Sequence, residues 1–299
     1  MPTTLRKLFI LTLTGLAVAG AAAARDGEPE QTVRVYAAGD IAMCPGSPAD
    51  SAAAATARML PDDATVLVLG DTAYPRADRE TLQACYQPTW GRFLAHTYAV
   101  PGNHDYVDGS PKAFLDYFGM RIPGKTWFRV ALGEWWIIGL DSNIKGSELE
   151  EQRAWLEREL KSIDGDGRCI LALWHHPLFS TGLHHGDGKP MKPVWALLDQ
   201  AGADLVLSGH EHFYESFEPM DAEGHRASTG LREIIAGIGG APLSDFSLSG
   251  RHKAYAREHG ILELDLEPAG YQYRYRTLSG QVRDEGGASC RRAADLQHP

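Results

Sequence analysis

Several patterns are missing from this chain of 299 residues, and each absence closes a route to function. No Gly-x-Ser-x-Gly turn is present, so a serine nucleophile elbow has no starting point. The four cysteines, Cys44, Cys85, Cys169 and Cys290, include no Cys-x-x-Cys pair, which argues against a thiolate zinc site. Basic residues are few: 29 Lys and Arg stand against 39 Asp and Glu, giving a formal charge of −10. A nucleic-acid-binding surface usually needs the opposite balance, so none is expected. Long hydrophobic runs are scarce too. The N-terminal run 8–24 carries Thr12, Thr14 and Gly15 and falls short of the roughly 20 residues of a spanning helix. No internal repeat or low-complexity linker marks a second domain.

What is present begins with an export pattern. Arg6 and Lys7 precede the apolar run, which ends in Ala21-Ala22-Ala23-Ala24. This predicts a secretory signal peptide over 1–24 cleaved after Ala24, a linker over 25–32 and a single domain over 33–299. Cleavage removes Arg6 and Lys7, leaving a charge of −12 and no membrane span, and places the protein in the periplasm or outside the cell. In such a compartment the cysteines are expected to form disulfides, for which three pairings exist.

The rest has ordinary globular composition, 43% hydrophobic and 23% charged. Short apolar runs read as strands at 33–38, 65–69, 99–100, 127–131, 135–140, 169–174, 204–207, 234–236, 261–266 and 271–276. Helical spacing is found at 51–60, 148–160 and 192–200. The order is βαβ early and hairpin-like later, which predicts a four-layer α/β/β/α sandwich of two mixed sheets. Trp127, Trp135, Trp136, Trp155 and Trp195 are expected in the core. Tyr271, Tyr273 and Tyr275 alternate with Gln272, Arg274 and Arg276, as on a half-buried strand. Gly237-Ile238-Gly239-Gly240 reads as a flexible loop with a weak claim to cradle phosphate.

Apolar strands in this chain end, one after another, in glycine plus Asp, Asn or His. The clusters are Gly39-Asp40, Gly70-Asp71-Thr72-Ala73-Tyr74, Gly102-Asn103-His104-Asp105, Ala172-Leu173-Trp174-His175 and Gly209-His210-Glu211-His212. A further strand ends at Asp141. Of 12 histidines, seven lie from His104 to His212, the three outside these clusters being His176, His184 and His185. Carboxylates, an amide oxygen, imidazoles and a phenol suit first-row metals, and one carboxylate can bridge two ions. Cys44 and Cys85 follow two of the converging clusters, which favours a Cys44–Cys85 bridge and leaves Cys169–Cys290.

Over about residues 33–240 the chain resembles the calcineurin-like metallophosphoesterases, in their purple acid phosphatase-like branch. The branch pattern is GD-x-G, GD-x-x-Y, GNH-D/E, V-x-x-H and GH-x-H; the stretches CYQPTWGRF and VPGNHDY also look like bacterial secreted members. Ala42 departs from the pattern: most of the superfamily has a His ligand there and the purple branch a Gly. The resemblance implies two metal ions. One would be held by Asp40, Asp71, Tyr74 and His212, the other by Asp71, Asn103, His175 and His210. A phenolate at Tyr74 favours Fe(III) at the first position; the second set suits Zn(II), Fe(II) or Mn(II). The implied reaction is hydrolysis of a small phosphate monoester by a metal-bridging hydroxide. His104 would protonate the leaving group with Asp105 orienting it, and His184 and His185 would contact substrate. His176 and Glu211 are read as neighbours, and His96, His225, His252, His259 and His298 as surface residues. A phosphodiesterase or nucleotidase on the same site is the nearest alternative, and a non-catalytic relative is disfavoured because every ligand position is filled.

Overall fold

The central strands of one sheet are apolar on both faces because they separate two cores. In the strand Cys169–Leu173, Cys169, Leu171 and Leu173 join one buried cluster while Ile170 and Ala172 join a second. Leu205 and Leu207 against Val206, and Ile234 and Ala236 against Ile235, divide in the same way. A period of two with both faces buried produces a continuous apolar run.

The computed structural model describes residues 31–44, 47–119, 125–183, 188–247 and 252–292. Among these, a six-stranded sheet has the order β15 (Val282–Ser289), β14 (Gly270–Thr277), β13 (Gly260–Glu267), β1 (Val33–Ala38), β3 (Thr65–Val68) and β5 (Thr97–Ala99). A seven-stranded sheet runs β12 (His252–Ala256), β10 (Tyr214–Phe217), β11 (Arg232–Ala236), β9 (Leu205–Ser208), β8 (Cys169–Leu173), β7 (Trp135–Gly139) and β6 (Phe128–Leu132). A small ribbon pairs β2 (Ala42–Met43) with β4 (Ala73–Tyr74). The mixed α/β sandwich expected from the sequence is present.

The second cluster packs β7, β8, β9 and β11 against the helices Ser147–Ser162 and Lys192–Gln200 through Leu156, Leu160, Val194, Trp195 and Leu198. Between the sheets lie the buried Tyr271, Tyr273 and Tyr275, while Gln272, Arg274 and Arg276 stand on the more exposed face, as the alternation predicts. The Tyr275 ring stacks on Tyr214 of the other sheet at 4.1 Å, and Trp135 meets Tyr271 edge-on at 6.0 Å. Trp127, Trp135 and Trp195 are buried; Trp136 and Trp155 pack against the second cluster from partly buried positions. Strands β10, β12 and β15 carry no clear apolar run, since β12 and β15 are edges and β10 buries the charged Glu215.

Two features place the strand ends together. β1, β3 and β5 are mutually parallel, as are β7, β8, β9 and β11, so within each group the C-terminal ends share an edge. The two edges are then stitched to each other: Gly39 N–H donates to Ala236 O at 2.9 Å and Gly239 N–H to Gly39 O at 2.9 Å.

Three fully buried carboxylates fix the loop that follows β8. Glu233 accepts the backbone N–H groups of Leu178 and Phe179, each at 3.0 Å. Glu215 accepts Thr181 N–H at 3.1 Å and its hydroxyl at 2.6 Å, and Glu211 accepts the Ser180 hydroxyl at 3.1 Å. Burial raises the Glu233 carboxyl to about 8, against the backbone donors that favour its charged form. The folded state therefore binds the proton more tightly than the unfolded chain, and this group's contribution to stability falls as pH rises from about 4.5 to about 8. Glu233→Gln is expected to flatten that decline, by up to about 1.4 kcal/mol per pH unit, in denaturant titrations across this range.

Cys44 pairs with Cys85 and Cys169 with Cys290, the pairing expected from the sequence. The second bridge ties β8 to the end of the described chain across 121 residues. Replacing both Cys169 and Cys290 by Ser is expected to cost about 2–4 kcal/mol, read from the shift in urea midpoint.

Candidate metal centre

Two backbone devices aim the donor side chains. Asp40, Asp71 and His210 adopt left-handed backbone angles, with φ of 58°, 50° and 70°. Non-glycine residues rarely tolerate this conformation, and it concentrates where a side chain must be turned to a site. The sharp turns also bring backbone donors to the carboxylates. His210 N–H donates to Asp40 Oδ2 at 2.9 Å and His104 N–H to Asp71 Oδ1 at 2.8 Å. Each carboxylate thus has one oxygen fixed and the other turned to the centre. Gly102 is required beside them, because a Cβ there would collide with the Asp71 side chain and backbone.

The inward atoms form two groups. Tyr74 Oη lies 2.6 Å from Asp40 Oδ1, 2.9 Å from Asp71 Oδ2 and 3.0 Å from His212 Nε2, and His212 Nε2 lies 3.2 Å from Asp40 Oδ1. His175 Nε2 lies 3.4 Å from the same Asp71 Oδ2, 3.2 Å from Asn103 Oδ1 and 3.2 Å from His210 Nδ1. Spacings near 3 Å are those of donors sharing one ion at bonds of about 2.0–2.2 Å. Asp71 Oδ2 belongs to both groups. The residues present therefore fit two metal ions with Asp71 between them, and the seven ligands expected from the sequence are brought together.

Main-chain carbonyls set the imidazoles. His175 Nδ1 is 2.7 Å from Leu69 O and His212 Nδ1 is 2.7 Å from Pro242 O. A carbonyl can only accept, so each Nδ1 carries a proton and each Nε2 is the atom that faces the centre. Electrostatics agree with a place built for positive charge. Burial, Asp40 and Asp71 push the Tyr74 phenol well above its ordinary value. Burial opposes charge on His175 and His212, yet Asp71 for the first and Asp40 for the second outweigh it, and both rise to about 9.

Ala42 of β2 is buried and pairs with Ala73, directly ahead of Tyr74 on β4. The phenol thus enters from the neighbouring strand of the same ribbon. His104 is partly exposed; its ring sits 4.5 Å from that of Tyr74, with Nε2 3.9 Å from Asp71 Oδ2. Its Nδ1 is held by Pro75 O at 2.6 Å. The orienting role expected of Asp105 is thereby corrected. Asp105 is buried and accepts Gly102 N–H at 2.8 Å, Thr72 N–H at 3.2 Å and the Thr72 hydroxyl. It braces the Asp71 turn against the Asn103 turn.

Glu211 points away from the centre, under the loop 180–182, as its place between two inward histidines suggests. His184 and His185 lie outside the described residues. The glycines of 237–240 are packing residues. A Cβ on Gly237 would meet Glu211 and Asp40, and one on Gly239 or Gly240 the backbone of 39–41. Contrary to the reading that the chain has no Walker-type loop, the sequence carries that pattern from Gly119 to Gly124-Lys125-Thr126. It joins the helix Lys112–Phe118 to β6, the reverse of the strand-to-helix order such a loop needs, and Lys125 pairs with Glu151 at 2.9 Å. The carbonyl pins and the carboxylates under the 178–182 loop had no local signal, because each joins residues far apart in the chain.

The chain is 27% identical over 185 residues to the protein named probable glycerophosphodiester phosphodiesterase GpdQ of Arcobacter nitrofigilis, covering 60% of this chain and 62% of that one. It is 34% identical over 73 residues to purple acid phosphatase 21 of Arabidopsis thaliana, 23% of this chain and 17% of that one. The solved purple acid phosphatase PPD1 from yellow lupin (Lupinus luteus) seeds superposes with a TM-score of 0.69 at 18% identity, over 87% of this chain and 54% of that one. The chain spans less than two thirds of the length of each. The sequence model described as calcineurin-like phosphoesterase matches residues 33–214, more than half of the chain, and the chain belongs to that family.

Proposed function

We propose that this protein is an exported, metal-dependent phosphatase acting on small phosphate monoesters. The observation that carries the reading is Asp71 Oδ2, which is common to both donor groups. Asp40, Asp71, Tyr74 and His212 would hold one ion, and Asp71, Asn103, His175 and His210 the other. Bound there, the ions supply Lewis acidity to the phosphoryl oxygens and acidify a water. Fe(III) at the Tyr74 position follows from the phenol, with Zn(II), Fe(II) or Mn(II) at the second.

The chain's own groups do the rest. His104 presents Nε2 beside the centre with Nδ1 fixed by Pro75 O, so Nε2 is the atom that passes a proton to the leaving oxygen. Thr72, Gly102 and Asp105 hold the two ligand turns at a constant separation, which keeps the reacting groups in register. The −12 charge of the mature chain makes the ions and their histidines the local attraction for an anionic ester.

Phosphodiester hydrolysis is the second reading, favoured by the likeness to GpdQ over 60% of this chain. The monoester reading rests on the tyrosine donor and the purple acid phosphatase likeness. A panel of aryl monoesters, diesters and nucleotides decides between them; the monoester reading expects the highest kcat/KM on monoesters. Asn103→Ala and His210→Ala are each expected to lower aryl phosphate hydrolysis by roughly 100-fold or more. Chelation should abolish activity and added metal restore it, and unchanged rates in either experiment would sink the reading. With iron bound under oxidising conditions, a visible phenolate band is expected and should vanish in Tyr74→Phe.

A further inference from the structure

The strand β7 ends at Asp141, on the same edge as the donor clusters, yet none of the seven proposed ligands comes from it. The turn 141–143 is nonetheless built with care. Asp141 is buried, and its carboxylate accepts the Tyr106 hydroxyl at 2.6 Å and Asn143 N–H at 2.8 Å. Gln152 accepts Asp141 N–H at 2.7 Å and donates to Asp141 O at 3.0 Å. Asn143 Nδ2 donates to Pro101 O at 2.9 Å, two residues before the Asn103 donor. A turn held from three directions presents one side chain at its tip.

That side chain is Ser142. Its Oγ accepts His176 N–H at 3.0 Å and pairs with His176 Nδ1 at 2.8 Å, fixing both the backbone and the ring of His176. The ring lies against His210, with centroids 4.3 Å apart, and edge-on to His175 at 5.0 Å. Nitrogens of His175, His176 and His210 lie within 4.8 Å of one another. His210 also differs from the other inward imidazoles. His175 and His212 turn Nε2 to the centre with Nδ1 on a main-chain carbonyl, whereas His210 turns Nδ1 to His175 Nε2.

We infer that His176, set by Ser142, is a positioning residue for His210, so that the Ser142–His176 pair tunes the affinity of the metal position served by Asn103. The inference rests on the two-metal reading above. Partners that orient a ligand commonly change metal affinity by roughly 10–100-fold when removed.

Zinc binding to the full chain in chelator-buffered solutions, counted as ions per chain, tests this. Wild type should fill two positions, and Asn103→Ala identifies the step belonging to the second. Ser142→Ala and His176→Ala should each raise the free zinc needed for that step by roughly tenfold or more, and leave the other within about twofold. Ser142→Ala removes a single oxygen, so it serves even if His176→Ala fails to fold. An Asn103-dependent step within about twofold of wild type, or both steps weakened together, would overturn the positioning role. Fewer than two zinc ions in wild type would instead overturn the two-metal reading, and the inference with it.

Discussion

One carboxylate oxygen organises this protein. Asp71 Oδ2 stands within 2.9 Å of the Tyr74 phenol and 3.4 Å of His175 Nε2, and so joins two donor groups, each of which draws on both sheets. Its partner oxygen is fixed by His104 N–H, and the residue is held in a left-handed turn at φ 50°. Desolvation of that carboxylate would be unfavourable alone; the facing imidazoles of His175 and His104 hold its pKa well below the usual range. Such a concentration of buried oxygen donors is stable only with positive charge nearby, which is what a metal centre provides.

The sandwich exists to bring that oxygen its neighbours. Parallel strands in each sheet deliver Asp40, Asp71 and Asn103 from one side and His175, His210 and His212 from the other. Around the donors, the pinning is done by the main chain. Leu69 O, Pro75 O and Pro242 O each select one nitrogen of a histidine, and Asp105 spans two turns. Main-chain groups cannot rotate away as side chains do, so the imidazoles are oriented before any ion arrives. The three carboxylates under loop 178–182 extend the same rigidity to the rim.

Much of this was legible before folding. The strand runs read correctly because both their faces are buried, and the five strand-end clusters named all seven converging donors. Strands β12 and β15 escaped because a sheet edge in contact with water needs no apolar pattern. Asp105 was misjudged for a different reason. Adjacency in sequence suggested that it serves His104, but the turn sends its side chain back to Thr72, 33 residues earlier. The sequence reads His176 as a neighbour of His175; only the meeting of β7 and β8 with the His210 turn puts its ring between Ser142 and His210.

The sequence by itself determined which chemical groups stand at the ends of strands, because an apolar run followed by glycine and a polar residue is a local pattern. It also showed that the given sequence contains no Gly-x-Ser-x-Gly elbow. The tertiary structure alone decided which oxygen is shared, which ring nitrogen faces the centre, and which neighbours brace the ligands. Those are relations between atoms tens to hundreds of residues apart, set by sheet register and by backbone angles that no local pattern encodes.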